Sequence, residues 1–135
     1  MIQVASSDYN NQNLLRIICI LICITFLNLK GYSQEYEGTI IRVIDGDTYI
    51  FLTANGSFTV RMYGIDAPEH DQPYGKESSE FLSKYLNSEA ITKVNGTDKD
   101  DRSVGTLLVN SRDINLLSIK GGFSWHYKRY SSDTD

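Results

Sequence analysis

Residues 60–69 read Val60-Arg61-Met62-Tyr63-Gly64-Ile65-Asp66-Ala67-Pro68-Glu69. Side chains alternate between the two faces of a β-strand, so Val60 and Met62 are expected to face one side and Arg61 the other. Pro68 stiffens the loop that follows, and a carboxylate stands on each side of it. The segment therefore predicts a strand that ends at a rim, where Arg61 projects towards two carboxylates.

Three β-strands are predicted around this segment, over residues 37–44, 49–52 and 57–63, because these runs mix β-branched with polar residues. The turn sequences Asp45-Gly46-Asp47 and Asn55-Gly56 separate them. Both turns contain residues that tolerate the positive φ of tight hairpins. We therefore expect a three-stranded meander.

The second half of the chain predicts two helices and two further strands. An amphipathic helix is expected over 75–87, because Phe81, Leu82, Tyr85 and Leu86 fall on one helical face. Residues 91–94 and 104–109 are predicted strands, and 113–120 is a predicted helix ended by Gly121-Gly122. Five short strands, one helix between the third and fourth, and a short helix near the C-terminus favour a mainly β fold. This is the five-stranded Greek-key barrel of the oligonucleotide-binding (OB) fold.

Residues 1–33 have the pattern of an export signal. Arg16 precedes the apolar run 17–27, which is too short to span a bilayer comfortably. Gly31 and Ser33 are small residues suited to cleavage before residue 34, and an uncleaved N-terminal anchor is the alternative. We expect a secreted, periplasmic or cell-surface protein, with a membrane among its partners only if the segment is kept.

Residues 34–135 are sufficient for one small domain. They contain no cysteine, because Cys19 and Cys23 both lie in the apolar run, so no disulfide framework is expected. The net charge is −4 for the whole chain and becomes −5 once the charged residues of 1–33 are removed. This balance argues against nucleic-acid binding through bulk charge.

Asp45-Gly46-Asp47 and Asp66 have two interpretations. In the simpler one, the first is a hairpin turn and the second begins a proline-stiffened loop, with carboxylates that face water. In the other, two turns at neighbouring rims of the barrel converge. They then offer a hard divalent cation the carboxylate oxygens that it prefers.

Arg61 and Arg102 are open in the same way. An arginine in a strand or a charged loop is commonly solvated or ion-paired, and Asp98, Asp100 and Asp101 stand beside Arg102. The functional alternative is that both guanidiniums bind phosphate oxygens, which suits their planar fork. The order of hairpin, rim loop and late charged loop along the chain favours this alternative.

The run 125–130, Trp-His-Tyr-Lys-Arg-Tyr, combines aromatic with basic residues. Stacking on bases and neutralising phosphates is one interpretation, and packing of the aromatic rings across the barrel end is an equal one. His70 and His126 lack metal-ligand spacing and have no cysteine nearby, so a zinc site is not expected. The candidate substrate-binding residues are Trp125, Tyr127, Lys128 and Arg129.

Segments 43–48, 60–69 and 98–105, with the sequence 73–77, resemble the staphylococcal nuclease (thermonuclease) family over about residues 36–130. The resemblance implies a calcium-dependent nuclease that hydrolyses DNA and RNA and leaves 3′-phosphate ends. It also implies residue roles, in which calcium ligands, an acidic position just outside them, phosphate-binding arginines and a catalytic glutamate are matched. In that order the matching residues are Asp47, Asp66 and the carbonyl of Ala67; Asp45; Arg61 and Arg102; and Glu69.

Two departures from the family pattern are visible. Asp100-Asp101 stands before Arg102 where the family usually has Tyr-Gly, which removes a possible stacking ring and adds negative charge. Relatives usually continue beyond the position of Asp135 into a C-terminal helix packed on the barrel, so we expect a fragment or a minimal variant without that helix.

The resemblance leaves two functions besides the nuclease. One is a nucleic-acid-binding OB-fold module with weak or no catalysis, against which the retained acidic residues and arginines argue. The other is a secreted calcium-binding or interaction domain that uses the barrel as a scaffold. A monomer is expected, with DNA and RNA as substrates and no protein partner implied.

Overall fold

The computed structural model describes residues 14, 16–20 and 33–127 of the 135-residue chain. The chain divides into two compact units, Met1–Tyr32 and Ser33–Asp135. In the first unit, the described residues are helical and exposed, and the remainder of the expected export signal lies outside the described residues. In the described parts of the chain, no helix has both the length and the apolar character needed to cross a membrane.

The first three long strands form the predicted antiparallel meander. They are β1 (Gln34–Val43), β2 (Thr48–Thr53) and β3 (Gly56–Met62). Thr48 of β2 lies opposite Arg61 of β3. Val60 and Met62 are buried on either side of the half-buried Arg61, so the alternation expected from the sequence is confirmed.

The two turns of the meander differ from each other. Gly56 has a φ of 125°, as expected for a tight hairpin. The expectation of positive φ in 45–47 is wrong, because none of these described residues adopts it. Gly46 is required by space instead, since a Cβ there would lie 1.8 Å from Ser78 Oγ and 2.8 Å from Ala67 Cβ. This turn is therefore packed against the helix that carries Ser78.

Two more long strands close the barrel: β5 (Glu89–Thr97) and β6 (Ser103–Val109). The order is β3-β2-β1-β5-β6, and β6 also pairs with β3 in parallel. The closed five-stranded mixed barrel confirms the predicted OB fold. Three two-residue strands were not predicted, because so short a run has no detectable periodicity. They are β4 (Ile65–Asp66), β7 (Arg112–Asp113) and β8 (Trp125–His126).

Two helices accompany the barrel, α1 (Gly75–Ser83) and α2 (Ile114–Lys120). Helix α1 ends four residues before the predicted position at Asn87, which has a φ of 61° and donates its N–H to the barrel strand β1. Leu86, expected on the buried face, is 36% exposed. Helix α2 begins after Asp113, whose side chain caps Leu116 N at 2.9 Å.

The core lies inside the barrel and beneath the two helices. Phe81 of α1 stacks on Phe123 at 4.6 Å between ring centroids. Inside the barrel, Tyr49 and Thr92 share a buried hydrogen bond of 2.9 Å. Residues 128–135, where the expected end of the domain falls, lie outside the described residues. The buried core consists of Ile40, Tyr49, Phe51, Val60, Met62, Ile65, Phe81, Leu82, Ala90, Leu107, Val109 and Ile114.

Candidate active site

Asp47 is a buried carboxylate at the start of β2, with a side chain only 7% exposed. Thr48 Oγ1 donates to its Oδ1 at 2.9 Å, and Ala67 N donates to its Oδ2 at 2.8 Å. Its own backbone N–H donates to Asp45 Oδ1 at 3.0 Å. The two rim segments predicted to converge, 45–47 and 66–69, are therefore joined through this one side chain.

The Arg61 guanidinium lies between two acidic residues. Its Nη2 donates to Asp66 Oδ1 at 2.8 Å. Its Nη1 forms an ion pair with Asp47 Oδ2, and the buried Nη1 makes no well-aligned hydrogen bond. Since the Asp66 side chain is 35% exposed and Arg61 is 19% exposed, the cluster opens to solvent on the side of Asp66.

Burial raises the pKa of Asp47 to about 6. The positive charge of Arg61 opposes this shift, whereas the charge of Asp45 adds to it. The hydrogen bonds from Ala67 and Thr48 also favour the ionised carboxylate. Arg61 therefore keeps a carboxylate charged that burial alone would tend to protonate.

Arg102 is held by the loop that precedes β6. Asp98 Oδ2 accepts from Arg102 Nε at 2.8 Å, and Asp98 Oδ1 accepts from the backbone N–H groups of Arg102 at 3.0 Å and Asp100 at 2.9 Å. Burial acts to raise the pKa of Asp98, but these hydrogen bonds and the Arg102 charge hold it below its usual range. Asp100 Oδ2 lies 3.5 Å from Arg102 Nη2, while Asp101 is exposed with a φ of 59°. Asp98 and Asp100 are therefore ion-pair partners of Arg102.

An open groove of about 780 Å³ contains both arginines. One wall comes from β3 and β4, with Arg61 and Asp66, and the other from residues 95–102. Tyr63 and Tyr127 also line it. The groove is wide enough for an extended chain and carries two guanidiniums suited to phosphate oxygens.

The barrel and the paired arginines together point to one family of phosphodiesterases. Residues 59–135 match the family model described as staphylococcal nuclease homologue. The chain belongs to the staphylococcal nuclease family. The matched region of this nuclease homologue contains Arg61, Asp66, Glu69 and Arg102, and begins after the turn 45–47.

Relatives of this nuclease homologue occur in bacteria and plants. A Haemophilus influenzae protein named an uncharacterized endonuclease is 32% identical over 121 residues, 87% of this chain and 68% of the relative. An Escherichia coli O157:H7 protein with the same name is 27% identical over 101 residues, 73% of this chain and 66% of the relative. The staphylococcal-like nuclease CAN1 of Arabidopsis thaliana is 35% identical over 74 residues, 54% of this chain and 23% of the plant protein. The chain thus spans about two thirds of the length of these bacterial relatives.

The donor chemistry of the cluster fits the divalent cation that the family uses. Asp47 and Asp66 surround a single positive group, and the Ala67 backbone adjoins them through its bond to Asp47. Carboxylate and carbonyl oxygens are the ligands that calcium prefers. Within residues 14, 16–20 and 33–127, however, no group of three or more His, Cys, Asp or Glu side chains is arranged to hold a metal ion.

Glu69 lies outside the contacts that join Asp47, Arg61 and Asp66. The residue is exposed, and the hydrogen bonds found for it in the described part of the chain are backbone bonds to Gln72, at 3.0 Å from its N–H and 2.9 Å to its carbonyl. The structure therefore brings together three of the predicted site residues in direct contact and a fourth, Arg102, in the same groove, but leaves the predicted catalytic glutamate apart.

The predicted substrate-binding residues fall in three places. Tyr127 lines the groove, and its N–H donates to Gly64 O at 2.9 Å. Trp125 is 53% exposed, so the alternative in which it packs across the barrel end does not hold for this ring. Lys128 and Arg129 lie outside the described residues.

Two contributors to the site were missed by sequence reasoning. Thr48 donates to Asp47 and is 2% exposed, and its position directly after the acidic turn was an available signal. Ser78 packs against Gly46 with a buried Oγ that has no hydrogen-bond partner in the structure. No sequence signal links Ser78 to the turn, because the two come together only when α1 packs on the barrel.

Proposed function

We propose that this chain is a secreted, calcium-dependent nuclease that hydrolyses phosphodiester bonds of DNA and RNA and leaves 3′-phosphate ends. The observation that carries the proposal is the Arg61 guanidinium held between Asp47 and Asp66, in the same groove as Arg102. Membership of the staphylococcal nuclease family and relatives named as nucleases support it.

The two arginines have the main electrostatic task in this proposal. Attack on a phosphodiester adds negative charge to the phosphoryl oxygens, so fixed guanidiniums stabilise the transition state more than the ground state. Arg61 is anchored on its buried side by Asp47, and the more exposed Asp66 is the partner that a phosphate oxygen would replace. Arg102 is oriented by Asp98 through Nε, which leaves its Nη end for phosphate.

Glu69 is proposed to orient or deprotonate the attacking water. It follows Pro68 directly after the cluster, and its exposed side chain can change rotamer within nanoseconds when substrate arrives. The calcium ion of the family would be held by Asp47, Asp66 and the Ala67 carbonyl, where it would supply Lewis-acid stabilisation of phosphoryl charge. Asp45 would act indirectly, by fixing the Asp47 backbone.

Substrate docking is proposed to depend on local positive groups, because the chain carries a net charge of −4. These groups are the two arginines of the groove, calcium, and Lys128 and Arg129. The affinity of a cleavage-resistant oligonucleotide, measured with calcium and with a chelator, tests this dependence. Equal affinities under the two conditions would contradict it.

The direct test is cleavage of single-stranded DNA, double-stranded DNA and RNA by the full chain, with calcium or with a chelator. We expect calcium-dependent cleavage that is lost in Arg61→Ala and Glu69→Gln and kept in Arg112→Ala, a change at an exposed arginine away from the groove. Product ends that a polymerase extends only after phosphatase treatment would identify 3′-phosphates. Ends that extend at once would contradict that part of the proposal.

The alternative is an OB-fold module that binds nucleic acid with weak or no catalysis. Two observations favour it: Glu69 lies outside the acidic cluster, and Asp98 and Asp100 both engage Arg102. Tight oligonucleotide binding by a folded chain that cleaves none of the three substrates would establish this alternative.

Export is proposed from the pattern of residues 1–33. Expression in a bacterial host, followed by fractionation and N-terminal sequencing, tests it. A processed protein that begins at Gln34 is expected outside the cytoplasm. An unprocessed chain that sediments with membranes would instead indicate the anchor.

A further inference from the structure

Trp125 is the single tryptophan of the chain and is 53% exposed. An indole is usually largely buried, because it is the largest apolar side chain. Here the exposure does not come from a loose terminus. Ser124, the residue before it, is buried and donates its Oγ–H to Ser118 Oγ at 2.9 Å, and Tyr127 N–H donates to Gly64 O at 2.9 Å.

The register of the β4–β8 ribbon places Trp125 beside the arginine cluster. Asp66 lies directly opposite Trp125, and Ile65 lies opposite His126. Directly opposed residues of an antiparallel pair project to the same face, with Cβ atoms about 4.5–5.5 Å apart. Since Ile65 is 2% exposed and faces the core, Trp125 shares the outer face with Asp66, whose carboxylate binds Arg61.

We propose that Trp125 is a stacking subsite for one unpaired base next to the phosphate bound by Arg61. This proposal rests on the proposed nuclease function and adds a substrate class to it: single-stranded nucleic acid, or unpaired segments of a folded one. Indole rings bind bases through their π-faces, and every base has such a face, so no base preference is expected.

The restriction to unpaired bases follows from where base faces are accessible. In a duplex each face is covered by the neighbouring base pair, and only the edges are presented in the grooves. A single strand can turn a base out of the stack and lay it on an aromatic side chain. A ring fixed on a β-ribbon beside a phosphate site therefore selects against duplex.

The test uses the fluorescence of Trp125, which is the only tryptophan signal of the full chain. The ligand is a phosphorothioate oligothymidylate, which resists cleavage, titrated in calcium and again with chelator. We expect quenching on binding and an affinity that falls about tenfold in Trp125→Ala, within the range for loss of one base stack. Trp125→Phe should keep most of the affinity, since it retains an aromatic face.

Two matched ligands separate stacking from other effects. An abasic oligonucleotide of equal length offers phosphates without bases, and it should bind wild type and Trp125→Ala equally. A blunt duplex should likewise be insensitive to the substitution. Circular dichroism and thermal unfolding of each variant show whether it is folded.

The outcomes decide the proposal without depending on catalysis. Saturable binding without quenching, equal affinities in wild type and Trp125→Ala, an equal loss for the abasic ligand, or no binding at all would each overturn the subsite. Quenching with a base-dependent loss in a chain that cleaves nothing would retain the subsite and reject the nuclease. Cleavage with an unquenched tryptophan would do the reverse.

Discussion

Asp47 and Asp66 share one guanidinium but differ in their access to water, with side-chain exposures of 7% and 35%. A solvated carboxylate loses little when its partner leaves, whereas a buried one is left with an uncompensated charge. Arg61 is therefore both the phosphate-binding candidate and the counter-ion that makes a charged Asp47 tolerable in this position. Loss of function and loss of stability are expected together at this residue.

Arg61→Ala is predicted to lower the free energy of unfolding by about 3 kcal/mol, as expected when one member of a buried pair is removed. Denaturant titration measures this, with Arg112→Ala as a control that should change stability by less than about 0.5 kcal/mol. Adding Asp47→Asn to Arg61→Ala should recover part of the loss, because a neutral amide needs no counter-ion. A double variant less stable than Arg61→Ala would contradict the pairing.

Asp98 gives a pH dependence of stability. Its pKa lies below the ordinary value, so the ionised form stabilises the folded chain above the unfolded-state pKa, and this contribution is lost as the pH falls through the folded-state pKa. Asp98→Asn should therefore be less stable than wild type near pH 7, with a difference that shrinks below about pH 4. Asp101→Asn serves as the control and should follow wild type at every pH. A difference that grows on acidification would contradict this assignment.

Asp100 is predicted to compete with substrate for Arg102. Its Oδ2 lies 3.5 Å from Arg102 Nη2, on an exposed side chain, so the pair is weak and exchangeable. Asp100→Asn should lower KM by about two- to fivefold, an effect that declines with salt. Asp101→Asn removes the same charge one residue away, at a position whose φ of 59° asparagine also tolerates. An equal effect in both variants would indicate a general charge effect instead.

At the scale of elements, the turn 45–47 depends on α1 for its position. Gly46→Ala would place a methyl group 1.8 Å from Ser78 Oγ and 2.8 Å from Ala67 Cβ, so either the turn or the helix must move. We predict destabilisation of about 1–3 kcal/mol together with reduced cleavage, because the turn carries Asp47. Gly96→Ala is the matched control, since no atom lies within 4 Å of the added carbon. Equal behaviour of the two variants would contradict the packing argument.

The elements differ in how far they are predictable from sequence. The five long strands follow from alternation over several residues, and α2 follows from its Asp113 cap and the glycines after it. The ribbon that brings Trp125 opposite Asp66 does not, because two residues per strand carry no period. The site divides in the same way: the cluster around Arg61 follows from strand alternation and neighbouring turns, whereas the position of Glu69 and the contact of Ser78 with the turn depend on packing that the local sequence does not encode.

At the scale of the whole molecule, an acidic chain presents two arginines in one groove. Binding to a single strand loses affinity with salt in proportion to the phosphates neutralised, with a slope of about −0.7 for each. Two contacts predict a slope of about −1.4 for log K against log salt. Oligonucleotide titrations between 50 and 300 mM salt (about one decade of screening change) measure it. A slope near −2.8 would mean that Lys128 and Arg129 also bind phosphates.

The parallel pairing of β3 with β6 joins the two ends of the barrel sheet. Arg61 lies opposite Val104 in this pair, and Arg102 directly precedes β6, so the two guanidiniums stand on either side of the joint. Contacts between segments so distant in sequence are among the slow steps of folding. A growing or unfolded chain therefore has no assembled phosphate site. Under the proposed export, the producing cell would be protected from the enzyme by its topology, with no need for a separate inhibitor before the chain leaves.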